Sequence, residues 1–222
     1  MVSSLILFAI LYLQSQPLSK PTIEQTTFIY SMDQQVIDDL HGGENRVYVP
    51  LEKIPESLKE ATIAIEDRKF YKHFGLDFIR IGGALIKDIK TLSKAEGAST
   101  ITQQLARNLY LSLDKTWERK WKEALLAVQL ELQYSKDQIL EMYLNQIYYG
   151  HSANGVQLAS QTYFAKDVTE LNLAESAMLA GVPKGPKYYS PFLDFENAKK
   201  RQKTVLQAMV AEHYITQEEA DK

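Results

Sequence analysis

The sequence predicts a mainly α-helical chain with a short β segment near its N-terminus. Three observations carry that prediction. From Pro55 onward, apolar residues recur at helical spacing in blocks of roughly eight to twenty residues. Good strand candidates occur only before Pro55, as "FIYSMDQQVIDDL" (28–40) and "NRVYVPL" (45–51), separated by Gly42-Gly43. Proline and glycine punctuate the helical blocks, and no internal repeat is present.

Taken from the N-terminus, "VSSLILFAILYL" (2–13) is apolar but short. As a helix it reaches about 18 Å, against a hydrocarbon core of about 30 Å. No Lys or Arg precedes Lys20, so the basic flank of a signal peptide is missing. The expectation is the outer part of a clipped membrane anchor, with its linker, over 1–20. At the other end, Thr216 with Glu219 forms a capping-box pattern, which predicts a helix opening just before the last residue and a chain that is a piece of a longer protein.

"PESLKEATIAIED" predicts a helix with Pro55 in its first turn. Its apolar face is Leu58, Ala61, Thr62 and Ile65, and it delivers Glu66 at its C-terminal end. "GLDFIRIGGALIKDIKTLSK" places Phe78, Ile81, Leu85, Ile89 and Leu92 opposite Arg80, Lys87, Lys90 and Lys94, a basic amphipathic helix suited to an anionic membrane surface or to packing on a core. In "EGASTITQQLARNLYL", Thr100 and Gln103 form a capping box, and a helix start of that kind with Arg107 further on suits a phosphate. "KTWERKWKEALLAVQLELQYS" carries two apolar stripes: Trp121, Ala124, Leu125, Val128 and Leu132, and opposite them Leu126, Ala127 and Leu130, with Glu123 inside the second. That helix is expected to be buried nearly all round, with Glu123 paired to Arg119 one turn earlier. "SKDQILEMYLNQIYYG" presents Ile139, Leu140, Tyr143, Leu144 and Ile147 as a core face, leaving Glu141 and Asn145 as surface residues. Pro183, Pro186 and Pro191 predict a loop before a last long helix, "NAKKRQKTVLQAMVAEHY".

Composition narrows the function classes. The chain has 222 residues, 45% hydrophobic and 24% charged, enough to bury a core. A net charge of −3 gives no global attraction to nucleic acid. With no cysteine there is no disulfide framework and no thiolate metal site. The four histidines lack the i, i+4 pairing of a helical zinc site.

In order along the chain, "EDRKFYKHFG", "GASTITQQ", "RKWKE", "KDQILEMYLN" and "RQKTVL" resemble, in sequence and spacing, the five motifs of the peptidoglycan glycosyltransferases, family 51 of the glycosyltransferases. The resemblance runs from about Ile29 to the end. The leading "TTFIYSMDQQVI" and "NRVYVPLEKIP" look more like the bifunctional class A penicillin-binding proteins than the short monofunctional enzymes.

The resemblance implies a mainly helical, lysozyme-like head over 21–222, with a smaller membrane-associated jaw lobe over about 74–98. It implies that Glu66 is the general base that deprotonates the 4-hydroxyl of the acceptor lipid II, so that the oxygen attacks the anomeric carbon of the growing chain. A β-1,4 bond forms with inversion and undecaprenyl pyrophosphate leaves. Glu123 is the second essential carboxylate, acting on the donor side through a divalent cation (Mg or Mn) or by holding its basic neighbours. Substrate binding falls to Asp67, Phe70 and His73 of the first motif, to Ser99, Thr100, Gln103 and Gln104 of the second, to the cations Arg107, Lys115, Arg119 and Lys120, and to Asn145. Glu141, Tyr143, Asn145 itself and Arg201 look mainly structural in the family, bracing the cleft. Arg107 departs from relatives that carry Lys there, and its guanidinium is able to bind pyrophosphate bidentately.

The implied partners are lipid II, the growing glycan strand, the membrane, a C-terminal transpeptidase domain and other cell-wall synthesis proteins. The implied location is the bacterial cell membrane, with one span and the catalytic domain on the extracytoplasmic face. Two rivals stand beside this reading: a glycan hydrolase using a glutamate acid, and a non-catalytic wall-binding or scaffold module.

Overall fold

The computed structural model describes residues 15, 18, 47–83, 99–111 and 116–222, together with the backbone of 27–30 and 36–40. The described chain is mainly helical. It divides into two compact units, one formed by Met1–Thr22 with Lys69–Ile139 and the other by Ile23–Arg68 with Leu140–Lys222. The jaw segment expected over 74–98 falls in the first; its residues 84–98, and the proposed anchor over 2–13, lie outside the described residues.

The first unit is built on a helix pair. Helix α2 (Ile101–Tyr110) packs on α3 (Trp117–Gln133). The Thr100 cap forms as the sequence predicts. Its hydroxyl accepts from the Gln103 N–H at 3.1 Å, and the Gln103 side chain accepts from the Thr100 N–H at 3.0 Å. The same hydroxyl donates to the Gly75 carbonyl at 2.7 Å, so the cap also pins the end of the first motif. Gly75 has φ +79°, and a Cβ there would stand 3.0 Å from the Ala127 carbonyl. Only glycine lets this segment lie so close to α3. Residues 78–83 are helical, with Phe78 and Ile79 exposed.

Helix α3 departs from its expected all-round burial. The stripe with Leu126, Ala127, Leu130 and Glu123 faces inward, with Ala127, Leu130 and Glu123 fully buried. The other stripe is only partly covered: Trp121 is 72% exposed and Leu125 52%, while Ala124, Val128 and Leu132 are half-buried; Trp117, at the helix start, is 85% exposed. A two-striped helix needs partners on both sides to be buried, and α2 covers one.

The second unit is centred on three mutually packed helices: α1 (Glu56–Glu66), α6 (Leu173–Gly181) and α8 (Phe195–Ala211). Their shared faces carry small residues, Ala61, Ala64, Ala177, Ala180 and Ala208, all buried, which lets the backbones approach. Leu58, Val205 and Met209 fill the remaining volume. Helix α4 (Lys136–Gln146) buries Ile139, Leu140, Tyr143 and Leu144, the face expected of it, and α5 (Val156–Phe164) follows.

Three expectations are corrected. The 28–40 stretch is a hairpin rather than one strand: β1 (Thr27–Tyr30) pairs antiparallel with β2 (Val36–Leu40), Thr27 opposite Leu40. Residues 47–50 are extended but not a strand, and Leu51–Lys53 is a 3₁₀ turn. Side chains of α4 take the backbone groups that a neighbouring strand would have taken. Finally, the proline-rich stretch is not a plain loop. Pro183 opens a 3₁₀ turn, Val182–Lys184, and Pro186 is the first residue of α7 (Pro186–Tyr189), positions where a missing N–H costs nothing. The terminal cap at Thr216 opens α9 (Gln217–Asp221).

Candidate active site

In the first unit, Glu123 is 0% exposed. A bare buried carboxylate is costly, and both of its oxygens are engaged. Arg119 Nη1 donates to Oε2 at 3.3 Å, and Lys120 Nζ donates to Oε1. Lys120 Nζ also donates to the Ser99 hydroxyl at 2.9 Å. Thr116 caps α3 by accepting the Arg119 N–H at 3.1 Å, so the cations sit in the first turns of the helix, where the backbone dipole repels them and favours an anion. The buried carboxylate offsets that cost and holds two cations together.

This donor set does not fit a metal. Glu123 presents both oxygens to ammonium and guanidinium groups, and among the described residues no cluster of three His, Asp or Glu gathers there or elsewhere.

The other expected binding residues divide by burial. Ser99 and Gln104 are partly accessible, as is Arg107 in the last turn of α2. Thr100 and Gln103 are buried, their polar atoms used by the cap. At this helix start the Thr100 hydroxyl and N–H and the Gln103 N–H are thus engaged within the protein. Phe70 is a core residue with no exposed surface; Lys136 Nζ lies 4.6 Å from its ring centroid, and His73 packs edge-on at 6.4 Å. Lys136 in turn pairs with Glu131 at 2.7 Å, which also accepts from the Thr102 hydroxyl at 2.6 Å. Lys115 lies outside the described residues.

In the second unit, α1 ends at Glu66, as its pattern predicts, and Asp67 is buried at the helix end, its N–H donating to the Ile63 carbonyl at 2.9 Å. Glu66 Oε1 faces Arg201 Nη2 of α8 at 3.8 Å. Arg201 Nε donates to the Gly181 carbonyl at 3.3 Å, and its guanidinium lies 5.6 Å from the Tyr189 ring centroid. Burial pulls the Arg201 pKa down, while Glu66 and Tyr189 push it back up. The buried Tyr149 phenol is the other neighbour; burial raises its pKa, and the charge of Glu66 raises it further.

Arg201 was legible only as a bracing residue. Its contact with Glu66 had one sequence signal: it lies three residues after Ala198 and four before Val205, on the buried face of α8, and a cation there calls for a carboxylate. Nothing in the sequence points to Tyr149.

Asn145 is not a surface residue. It is buried and, with Glu141, clamps the 48–51 segment. Its amide is committed to backbone groups, the bracing role that the resemblance also implies for it.

A family model described as Transglycosylase matches residues 33–210. Penicillin-binding protein 2D of Bacillus subtilis (strain 168) is 50% identical over 200 residues, 90% of this chain and 29% of that protein. Penicillin-binding protein 1A of Neisseria lactamica is 47% identical over 194 residues, covering 87% of this chain and 24% of that protein. A crystal structure of penicillin-binding protein 1A from Haemophilus influenzae aligns with TM-score 0.49 and 26% identity over 89% of this chain and 20% of that one. The chain belongs to the transglycosylase family and is a peptidoglycan transglycosylase domain of the kind that class A penicillin-binding proteins carry. It spans about a quarter of the length of the curated relatives it matches.

Proposed function

We propose that this domain polymerises lipid II into glycan strands, forming β-1,4 bonds with inversion and releasing undecaprenyl pyrophosphate. The observation that carries the proposal is Glu123, fully buried beneath Arg119 and Lys120. Two cations fixed in the first turns of a helix are what a departing pyrophosphate needs, since they are in place before its charge develops. A hydrolase that releases a sugar hydroxyl has no such need. In this reading Glu66 is the general base. It removes the proton from the acceptor 4-hydroxyl as that oxygen attacks the anomeric carbon, and the electron pair of the breaking bond leaves on the pyrophosphate. Glu123 holds Arg119 and Lys120, and Ser99 orients Lys120. Arg107 and Lys115 complete the cationic set, and His73 and Gln104 contact the sugars.

The domain works at the extracytoplasmic face of the bacterial membrane, in a single-pass full-length protein that also carries a transpeptidase domain. Trp117, Trp121, Phe78 and Ile79, all exposed in the first unit, support contact with the bilayer. Among the described residues no helix is long and apolar enough to cross a membrane.

Product analysis tests the proposal. Supplied with labelled lipid II and, separately, with preformed glycan, the chain is expected to lengthen the first, releasing polyprenyl pyrophosphate, and to leave the second intact. Shortened glycan with no polymer would favour the hydrolase. Binding without turnover, unchanged by Glu66→Gln, would favour the wall-binding module.

A further inference from the structure

We propose that Arg201 is the positioning residue of Glu66, fixing its orientation for proton removal; this rests on the reading of Glu66 as the base. Glu66 is the last residue of α1, where the negative end of the helix dipole disfavours a carboxylate. Arg201 offsets this from α8. Its Nη2 lies 3.8 Å from Glu66 Oε1, and its side chain is only 10% exposed, so solvent screens the pair weakly.

Three contacts leave the guanidinium little freedom. Nε donates to the Gly181 carbonyl at the end of α6, the group lies against the Tyr189 ring of α7, and the stem passes Gly181, where a Cβ would stand 2.9 Å from Arg201 Cγ. Gly181 has ordinary helical backbone, φ −78°, so its lack of a side chain serves the passage of Arg201 and not a turn. At 3.8 Å the Glu66 contact is an ion pair rather than a closed hydrogen bond.

Arg201 from α8 and the Tyr149 phenol from the segment between α4 and α5 both face Glu66, and Asp67 follows it in the chain. Tyr189 reaches it through Arg201, and α6 contributes the Gly181 carbonyl to Arg201. Removing the guanidinium takes away a group that these contacts hold against the carboxylate, so Glu66 loses part of what orients it.

The test is kcat and KM for lipid II polymerisation by the whole chain. Arg201→Gln is expected to lower kcat about tenfold while KM changes by less than about twofold. Arg201→Lys should restore kcat. Gly181→Ala, which displaces the Arg201 stem without removing a charge, should lower kcat by less. An unchanged kcat in a folded Arg201→Gln protein, with Glu66→Gln inactive, overturns the proposal and leaves the base reading intact. If Arg201→Gln does not fold, an unchanged kcat in Gly181→Ala overturns it. An active Glu66→Gln protein overturns the base reading itself.

Discussion

Asn145 binds Val49 by both of its backbone groups: the Val49 N–H donates to Oδ1 at 2.8 Å, and Nδ2 donates to the Val49 carbonyl at 2.9 Å. The side chain of α4 thus acts as a one-residue strand. Nδ2 also donates to the Glu141 carbonyl at 2.9 Å. Asn145→Ala leaves a buried N–H and C=O unsatisfied, and the expected loss is about 1–3 kcal/mol, read as a lower urea midpoint with unchanged slope. Asn145→Asp keeps the acceptor and loses the donor, so it should fall between.

The neighbouring contact makes stability depend on alkaline pH. Tyr48 donates its hydroxyl to Glu141, and burial, then that bond and the charge of Glu141, push its pKa from 10.0 to about 12. The folded state holds the proton more tightly than the unfolded one. The contribution is therefore complete below pH 10 and is lost as pH rises toward about 12. Unfolding curves across that window should show the loss, and Tyr48→Phe should remove this component.

These two contacts mark where the sequence was legible and where it was not. The face of α4, the Leu58, Ala61 and Thr62 part of the α1 face and both caps followed from spacing, because they depend on residues within a few positions of one another. The clamp on Val49, the pairing of Arg201 with Glu66 and the partly covered stripe of α3 depend on what the chain brings alongside from far away, which periodicity does not carry. "NRVYVPL" has β-compatible residues, yet its partner is an Asn side chain, so propensity read its extended backbone correctly and its hydrogen bonding wrongly. Motif order singled out Glu66 and Glu123 but carried no burial: that Phe70, Thr100, Gln103 and Asn145 are buried depends on packing that a motif does not encode.

Gly75 should resist substitution. Its φ of +79° costs a side chain roughly 1–2 kcal/mol, and a Cβ would press on the Ala127 carbonyl of α3. Gly75→Ala is expected to lower the thermal midpoint and to weaken the Thr100 contact that ends the first motif. Equal stability for both proteins would show that this backbone can relax.

Trp117 and Trp121 bury little, so Trp117→Ser with Trp121→Ser should change stability by no more than about 0.5 kcal/mol. Binding to anionic lipid vesicles is the property that should fall, measured by co-sedimentation. Undiminished binding would remove this face from the account of the membrane.

The most direct measurement is polymerisation of labelled lipid II by the chain and by its Glu66→Gln variant, with folding checked by circular dichroism. The account predicts glycan and released polyprenyl pyrophosphate from the first, and a rate lower by about 10²–10⁴ from the folded variant. A folded variant that polymerises at the parent rate would contradict the assignment of Glu66 as the base.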